Sequence, residues 1–441
     1  MTRALGIDFG TTNSVVALLQ DDGRVTNVTW PSQAGPVDIF RTALYFWSEG
    51  RAPRVEIRHV AGPQALDRAL AGTGEGRFIQ SIKTYLASRA FSETRLYAKR
   101  FSIEALVGTF LSELSADFGD LKARSLPVAA GRPVVFAGEL PDEDLAVTRL
   151  TEAYRLAGFG TVDLAYEPLG AAYWYARQLK CDETVLVADF GGGTSDFSVI
   201  RFTHPKGQLV ADALAHTGVG VAGDTFDYRL VDHLVAPQLG KGSRYRSFDK
   251  SLPFPAYVHA AFARWHQLSW LKVPQVMREL RSLASASEAP DAIEKLIAFL
   301  DLDLGFELYQ AISRVKTQLS DAETATLDFD SHGIALRGRV TRGDFEGFIA
   351  GDLQRIGEAM EAALVEAGLT PSDVDAVFMT GGTSYVPAVR NLFVERFGAD
   401  RIHTGQAFQS VASGLALVAA DRASHGASED ASRLALPHSP A

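Results

Sequence analysis

Cysteine is almost absent from this sequence, since Cys181 is the only one among 441 residues. An intramolecular disulfide is therefore excluded, and a reducing interior is the natural environment of such a chain. Cys181 has no Cys-x-x-Cys partner and no histidine nearby in the sequence, so we expect a bland buried thiol and not a nucleophile.

Long apolar runs and a basic surplus are also missing. No stretch approaches 18 uninterrupted apolar residues, and the N-terminal "MTRALGID" lacks the apolar segment of a signal peptide. The sequence has 43 Lys and Arg residues and 53 Asp and Glu residues, which gives a net charge of −10. Such a field repels nucleic acid and anionic membranes, so we expect neither as a partner and predict a cytoplasmic protein.

The chain does have enough apolar residues, 46% of the total, to bury a substantial core. A chain of 441 residues is longer than most chains that fold around a single hydrophobic core. The length therefore predicts two domains or two lobes of one fold.

An internal repeat supports this division. In the opening stretch "ALGIDFGTTNSVVALLQ" an apolar run ends at Asp8, a glycine-threonine turn follows, and a second apolar run begins at Val15. In "TVLVADFGGGTSDFSVIRF" the run from Val185 ends at Asp189, and three glycines lead to a second run from Phe197. Both copies predict a hairpin with an aspartate at the end of its first strand.

Glycine turns of this kind can aim several backbone N–H groups at one phosphate. An aspartate beside the turn would repel a bare phosphate, so the pattern makes sense with a divalent cation, most simply Mg²⁺ held largely through water. One copy alone would favour an ordinary turn. Two copies favour a phosphate site that is closed from both sides.

The segment between the repeats predicts an α/β arrangement with crossover helices. Val134 to Ala137 reads as a short strand, Asp142 opens a helix that ends near Gly158, and Val162 to Ala165 reads as a second strand. A further helix starts at Glu167, with proline in its first turn.

Later in the chain, "VDAVFMTGGTSYVPAVRNLFVERFG" predicts a strand, a Gly381-Gly382 turn and a helix. The glycine pair serves either a bound ligand or a tight turn. The small residues of "FQSVASGLALVAADR" around Gly414 favour a closely packed helix, and the tail 421–441 is predicted to be disordered.

The region 240–305 predicts a helical subdomain with an insertion. It begins with a polar, basic loop, "GKGSRYRSFDKSLPFP", and an aromatic stretch follows. Tyr257, Trp265 and Trp270 fit an interaction surface or an ordinary helical core about equally well.

Together these motifs resemble the DnaK-type heat-shock chaperones of the actin-fold ATPase superfamily, in particular the short DnaK-like chaperones of the YegD type. The resemblance runs from about residue 3 to about residue 420. It implies an α/β actin-like fold in which two related lobes, with ribonuclease H-like mixed sheets and flanking helices, surround a central nucleotide cleft. Lobe I would comprise residues 1–180 and lobe II residues 181–420, with the final helix packing back towards lobe I.

The resemblance also implies ATP or ADP and Mg²⁺ as ligands. It gives catalytic roles to Lys83, Asp8, Glu167, Asp189 and Thr194, and it assigns the ion, mostly through water, to Asp8 and Asp189. Asp196 matches the second phosphate loop. Nucleotide contacts are implied for Gly10, Thr11, Thr12, Asn13, Gly191, Gly192, Gly193, Gly223, Lys316, Ser320, Gly381, Gly382, Ser384 and Tyr385.

Three departures from the family pattern stand out. Tyr385 replaces an arginine that usually stacks on adenine, although a tyrosine can stack as well. Ser313 and Thr317 replace a glutamate and a basic residue. The sequence also ends in a polar tail, so we expect no peptide-binding domain of its own.

The predicted function is a weak, Mg²⁺-dependent ATPase that acts as a nucleotide-driven switch, chaperone-like, with protein clients or co-chaperones as further partners. Lys83 would position the attacking water and neutralise charge. A small-molecule kinase of the sugar-kinase type and an actin-like filament protein are the alternatives. The triple-glycine loop and the Lys83 segment favour the switch.

Overall fold

The computed structural model describes residues 1–33, 35–51, 54–71, 76–118, 126–138, 140–177, 179, 181–204, 210–263, 268–404, 409–425 and 433–435. The chain divides into two compact units. Unit 1 comprises residues 1–222, 355–384 and 389–441, and unit 2 comprises residues 223–354 and 385–388. The predicted division into lobes at residue 180 stays a prediction, because unit 1 contains the large sheets of both halves.

The N-terminal sheet of unit 1 is built around the first predicted hairpin. Its central strand Thr2–Phe9 pairs antiparallel with Asn13–Gln20, and Val25–Asn27 and Phe40–Arg41 also pair with Asn13–Gln20. On the other side lie two parallel strands, Val128–Arg132 and then Asp163–Tyr166.

The C-terminal sheet repeats this plan around the second hairpin. Glu183–Phe190 is central and pairs antiparallel with Ser195–Thr203, which pairs with Val210–Val219. Arg433–Ala435 pairs with Val210–Val219 at that edge. Parallel strands Ala376–Thr380 and Ile402–Thr404 complete the other side. The predicted repeat is therefore confirmed, and it extends to the parallel strands.

Two related helices, Glu167–Ala176 and Ser410–His425, lie in the core between the two sheets. Each follows the outer parallel strand of its sheet. They cross with their backbones in contact, because a Cβ placed on Gly414 would lie 1.6 Å from the carbonyl oxygen of Gly170. On its other side the second helix presses on Gly6, whose Cβ would lie 2.0 Å from the Ala412 oxygen. The predicted close packing around Gly414 is confirmed.

Further elements surround these layers in unit 1. The helices are Gly62–Leu70, Ile103–Leu114 and Glu143–Leu156, and the helices Arg342–Ala367 and Pro387–Phe397 each have residues in both units. A three-stranded sheet contains Ala43–Arg51, Arg54–Ala61 and Arg77–Gln80, and a hairpin contains Glu93–Leu96 and Lys99–Ser102.

Unit 2 is mainly helical, with two hairpins. The helices are Gly223–Leu230, Ala256–Ala260, Leu268–Leu271, Pro274–Ala286, Pro290–Asp301 and Gly305–Asp321. The hairpins are Arg244–Ser247 with Lys250–Pro253, and Thr324–Ser331 with Ile334–Thr341.

The first of these hairpins corrects the predicted polar loop at 240–255. Tyr245 and Leu252 are half-buried partners across the two strands, and exposed basic and small residues lie next to them. The sequence therefore alternates between half-buried and exposed positions, which is typical of a strand. Tyr257 is 44% exposed, whereas Trp265 and the side chain of Trp270 lie outside the described residues.

Three other expectations are corrected. Cys181, expected to be buried, is exposed. The strand expected at Val134 to Ala137 lies instead at Val128–Arg132, because pairing with the central strand Thr2–Phe9 sets its position. The tail 421–441, expected to be disordered, has regular structure in two places, since the final helix extends to His425 with Asp421 buried, and Arg433–Ala435 form a strand. No described helix has the length and apolar character needed to cross a membrane.

Candidate active site

The first glycine turn is held by hydrogen bonds from Thr42, which lies between the strands Phe40–Arg41 and Ala43–Arg51. Strand pairing places Asp8 opposite Val15 at the end of the hairpin. A Cβ on Gly10 would lie 2.2 Å from the Asn13 oxygen, so the turn requires glycine there. Thr42 donates its backbone N–H to the Thr12 oxygen at 2.9 Å and its hydroxyl to the Gly10 oxygen at 2.8 Å. The turn is thus fixed from outside.

The second turn is closed by its own backbone. Gly191 donates its N–H to the Thr194 oxygen at 2.9 Å, and Asp189 lies opposite Asp196 across the strands. The Asp196 carboxylate accepts hydrogen bonds of 2.8 and 3.2 Å from the N–H groups of residues 134–135. Asp196 therefore ties this hairpin to the segment that follows strand Val128–Arg132.

The two turns face each other inside unit 1. A Cβ placed on Gly193 would lie 3.6 Å from the hydroxyl oxygen of Thr11 and 3.8 Å from the Ala137 Cβ. A glycine of one predicted phosphate loop thus lies directly opposite a hydroxyl of the other. The structure brings the two loops together, as the repeat predicts.

A buried ion pair lies beside them. Lys83 Nζ is 2.5 Å from Glu167 Oε1, and the two residues are only 5% and 7% exposed. Lys83 comes from the 3₁₀ turn Ile82–Tyr85, and Glu167 is the first residue of its helix. A Cβ on Gly131 would lie 2.9 Å from the Glu167 side chain, so this glycine leaves room for the carboxylate. Local pattern alone predicts a solvated lysine, and burial by distant residues overrides it.

The carboxyl groups at this site outnumber the positive charge. Burial first, and then the neighbouring Glu167, raise the pKa of Asp8 to about 7, against the opposing effect of Lys83. Burial and the nearby Glu167, Asp8 and Asp196 carboxylates raise the pKa of Asp189 well above its ordinary value. Burial, followed by Glu167, raises the pKa of Asp196 to about 7, against the hydrogen bonds that it accepts. One lysine does not neutralise four carboxylates.

A hydrated Mg²⁺ ion fits this deficit of positive charge. Within the described ranges, no group of three or more His, Cys, Asp or Glu side chains is arranged to bind a metal directly. The assignment of the ion to Asp8 and Asp189, mostly through water, stays a prediction.

The predicted adenosine turn of unit 1 packs against the second hairpin. Gly381 has φ +84°, and a Cβ there would lie 2.0 Å from the Phe190 oxygen, so a tight turn requires this glycine. Ser384 donates its hydroxyl to the Gly381 oxygen at 2.6 Å, and Gly382 begins a 3₁₀ turn. Gly381 is thus needed for the shape of the turn. The nucleotide contacts predicted for this segment stay predictions.

The predicted nucleotide residues of unit 2 form a second small cluster. Lys316 Nζ donates to the Gly223 oxygen at 3.0 Å and lies 2.9 Å from the Asp227 carboxylate. Ser320 is one turn further along the same helix, and Tyr385 is 54% exposed. The structure brings Gly223 and Lys316 together, and the adenosine contacts of all these residues stay predictions.

Sequence reasoning missed Thr42 and Asp227. Thr42 follows a two-residue strand and carries no local signal of its link to the first turn. Asp227 lies four residues after Gly223 on one helix. This spacing was the only sign in the sequence that Asp227 and Gly223 lie close together.

Comparison with protein families supplies the decisive observation. The family model described as "Hsp70 protein" matches residues 144–245 and 302–431, more than half of the chain. The chain belongs to the Hsp70 family. The Hsp70 match confirms the predicted actin-like ATPase fold with two related halves. Hsp70 proteins are chaperone ATPases, and they bind ATP or ADP with Mg²⁺.

Curated Hsp70 relatives align along almost the whole chain. The chaperone protein DnaK of Cyanidioschyzon merolae is 25% identical over 440 residues, which cover 95% of this chain and 62% of the relative. The DnaK proteins of Thermosipho melanesiensis and Thermosipho africanus are each 26% identical over 94% of this chain, and the matches cover 59% and 58% of those relatives. The chain thus spans about 60% of the length of these Hsp70 relatives.

Proposed function

We propose that this Hsp70 chain binds ATP with Mg²⁺ between its two glycine turns and hydrolyses it slowly, as a nucleotide-driven switch. The buried Lys83–Glu167 ion pair carries the proposal, because it places one cation beside two turns that face each other. A buried lysine is rare unless it is paired, and a lysine at such a site neutralises charge on a transferred phosphoryl group.

Each residue of the site has a distinct proposed task. The N–H groups of both glycine turns, together with the hydroxyls of Thr11, Thr12 and Thr194, would donate hydrogen bonds to phosphate oxygens. Lys83 would hold the attacking water in line with the bond that breaks. Glu167 fixes the Lys83 ammonium through their 2.5 Å contact and so sets the direction of that charge.

Asp8 and Asp189 would hold Mg²⁺ through its water shell. The bound ion supplies positive charge between the carboxylates and the phosphate oxygens. The raised pKa values of both aspartates support this assignment, because a site prepared for a divalent ion is short of positive charge without it.

The switch is proposed to act on proteins. Relatives that align over 94–95% of this chain are named chaperones, and from this we propose protein clients or co-chaperones as partners. Binding and hydrolysis would then favour different conformations, as in other nucleotide-dependent switches.

The test is steady-state ATP hydrolysis with Mg²⁺ by the whole chain and by Lys83→Ala and Asp189→Asn. We expect kcat to fall about 100-fold or more in both variants. Lys250→Ala and Asp400→Asn, which change exposed residues of the same types, serve as controls and should match the parent. If both site variants hydrolyse ATP like the parent, the proposed site is wrong.

A further inference from the structure

The segment that carries Lys83 has little support of its own. It is a single 3₁₀ turn, Ile82–Tyr85, entered through Ser81 with φ +55°. Directly after the turn, Leu86 donates its N–H to the Lys83 oxygen at 3.1 Å. Such short turns have poor hydrogen-bond geometry and do not hold a fixed conformation alone. Contacts from elsewhere in unit 1 must therefore fix the lysine.

Arg149, on the helix Glu143–Leu156, makes those contacts. Its Nη1 donates to the backbone oxygens of Leu86 at 3.0 Å, Ser88 at 2.9 Å and Tyr85 at 3.3 Å. Arg149 is only 6% exposed. One guanidinium nitrogen thus bonds to the carbonyl groups of residues 85, 86 and 88, at the end of the turn that carries the lysine.

The Arg149 charge is compensated on its other side. Its Nε lies 3.2 Å from the Glu104 carboxylate on the helix Ile103–Leu114. The helix that carries Arg149 is also tied to the same segment at its start, where Asp142 donates its N–H to the Ala87 oxygen at 3.0 Å. Two helices therefore hold the chain just after Lys83. The buried guanidinium of Arg149 joins them to it through hydrogen bonds of defined direction.

We infer that Arg149 is a positioning residue for Lys83, an inference that rests on the proposed ATPase function. Burying a guanidinium is costly, and an apolar side chain of similar size often serves stability as well. An arginine is suited to this place, because its Nη1 bonds to the carbonyls of residues 85, 86 and 88 while Nε of the same rigid planar group lies beside Glu104. Those carbonyls set the direction of the preceding turn and hence of the Lys83 ammonium.

Arg149→Met and Arg149→Lys test this, with Arg155→Met as the matched control. Arg155 lies on the same helix but is exposed and pairs with Glu152. We expect Arg149→Met to lower kcat by about 10- to 100-fold while ADP affinity stays within about twofold. Arg149→Lys should restore part of kcat, since its ammonium keeps the donor and the positive charge but lacks the rigid planar geometry by which the guanidinium meets both the carbonyls and Glu104.

A double-mutant cycle separates positioning from general damage. In a Lys83→Met background, Arg149→Met should have no further effect on single-turnover hydrolysis, because the group that Arg149 positions is gone. Hydrogen exchange is the readout that does not depend on activity. In Arg149→Met the N–H groups of Thr84, Leu86 and Ser88 should exchange about tenfold faster, and in Arg155→Met they should not.

The outcomes are distinct. An inactive wild-type chain rejects the ATPase function, and hydrogen exchange then decides whether Arg149 fixes the segment. An active wild type with an equally active Arg149→Met rejects the positioning role. A parallel fall of kcat and ADP affinity, or a further loss of rate in the Lys83→Met background, also overturns it.

Discussion

Gly414→Ala is expected to destabilise unit 1 although it replaces a helical glycine by the best helix former. The new Cβ would lie 1.6 Å from the Gly170 oxygen, 2.5 Å from its carbonyl carbon and 3.1 Å from its Cα. These are backbone atoms of a buried helix, so no side chain can rotate away. The helix cannot retreat either, because its Ala412 oxygen already lies against Gly6.

The magnitude follows from two opposing effects. Forcing an extra methyl group into a packed core costs about 1 to 3 kcal/mol, and a clash with backbone belongs at the upper end or beyond. Alanine in place of glycine returns about 1 kcal/mol of helix propensity. The net expected loss is about 2 kcal/mol or more, a fall in Tm on the order of 5 °C.

Thermal and urea unfolding, followed by circular dichroism, measure the change. The matched control is Gly347→Ala in the exposed face of the helix Arg342–Ala367, where a Cβ would meet nothing within 4 Å. The free energy of unfolding of that variant should rise by about 1 kcal/mol. Gly170→Ala should be intermediate, because its Cβ would meet the Val411 oxygen at 2.8 Å and a flexible Leu415 side chain at 2.9 Å.

A Gly414→Ala protein as stable as the wild type would refute the backbone crossing. So would a gain similar to that of Gly347→Ala. If Gly170→Ala were less stable than Gly414→Ala, this would contradict the shorter contacts of a Cβ at Gly414.

Three further predictions concern the site. Burial, aided by Glu167, raises the pKa of Asp196 to about 7, so between pH 4 and 7 the folded chain holds a proton that the unfolded chain has lost. This contribution to stability therefore falls as pH rises, by up to about 1.4 kcal/mol per pH unit. Asp196→Asn should flatten the decline in urea titrations from pH 5 to 8, and an unchanged slope contradicts the raised pKa. Thr42→Val removes the hydroxyl bonded to Gly10 and should cost about 1 to 2 kcal/mol in urea unfolding; an unaltered midpoint would show that the turn holds itself. At 100 times its Kd, ADP with Mg²⁺ should stabilise the chain by about 2.7 kcal/mol in thermal scans. Chelation of Mg²⁺ should remove most of that gain, and a gain insensitive to chelation argues against a metal-assisted site.

The hairpin ends were predictable because glycine and aspartate act locally. Asp8 and Asp189 lie one residue before the ends of their strands, close to the predicted ends, since the turn residues follow almost directly in the chain. The capping Asp142 was also correct, because an N-cap bonds to an N–H only three residues away.

Lys83 could not be recognised from its own segment. Its burial depends on Glu167, 84 residues later, and on Phe9, whose ring centre lies 5.8 Å from the ammonium. The position of strand Val128–Arg132 was missed for the same reason, because its partners are residues 5–7 and 163–166. Register between distant strands is a property of the assembled sheet, and no local pattern carries it.

The contact between Gly170 and Gly414 has a mechanical consequence. Helices usually interlock through ridges and grooves of side chains, which resist rotation about the point where they cross. At Gly414 no side chain of its own separates the two helices, so backbone atoms alone set their separation at this point. The closeness that forbids a methyl group therefore holds the two helices at their smallest separation in the centre of the duplicated core.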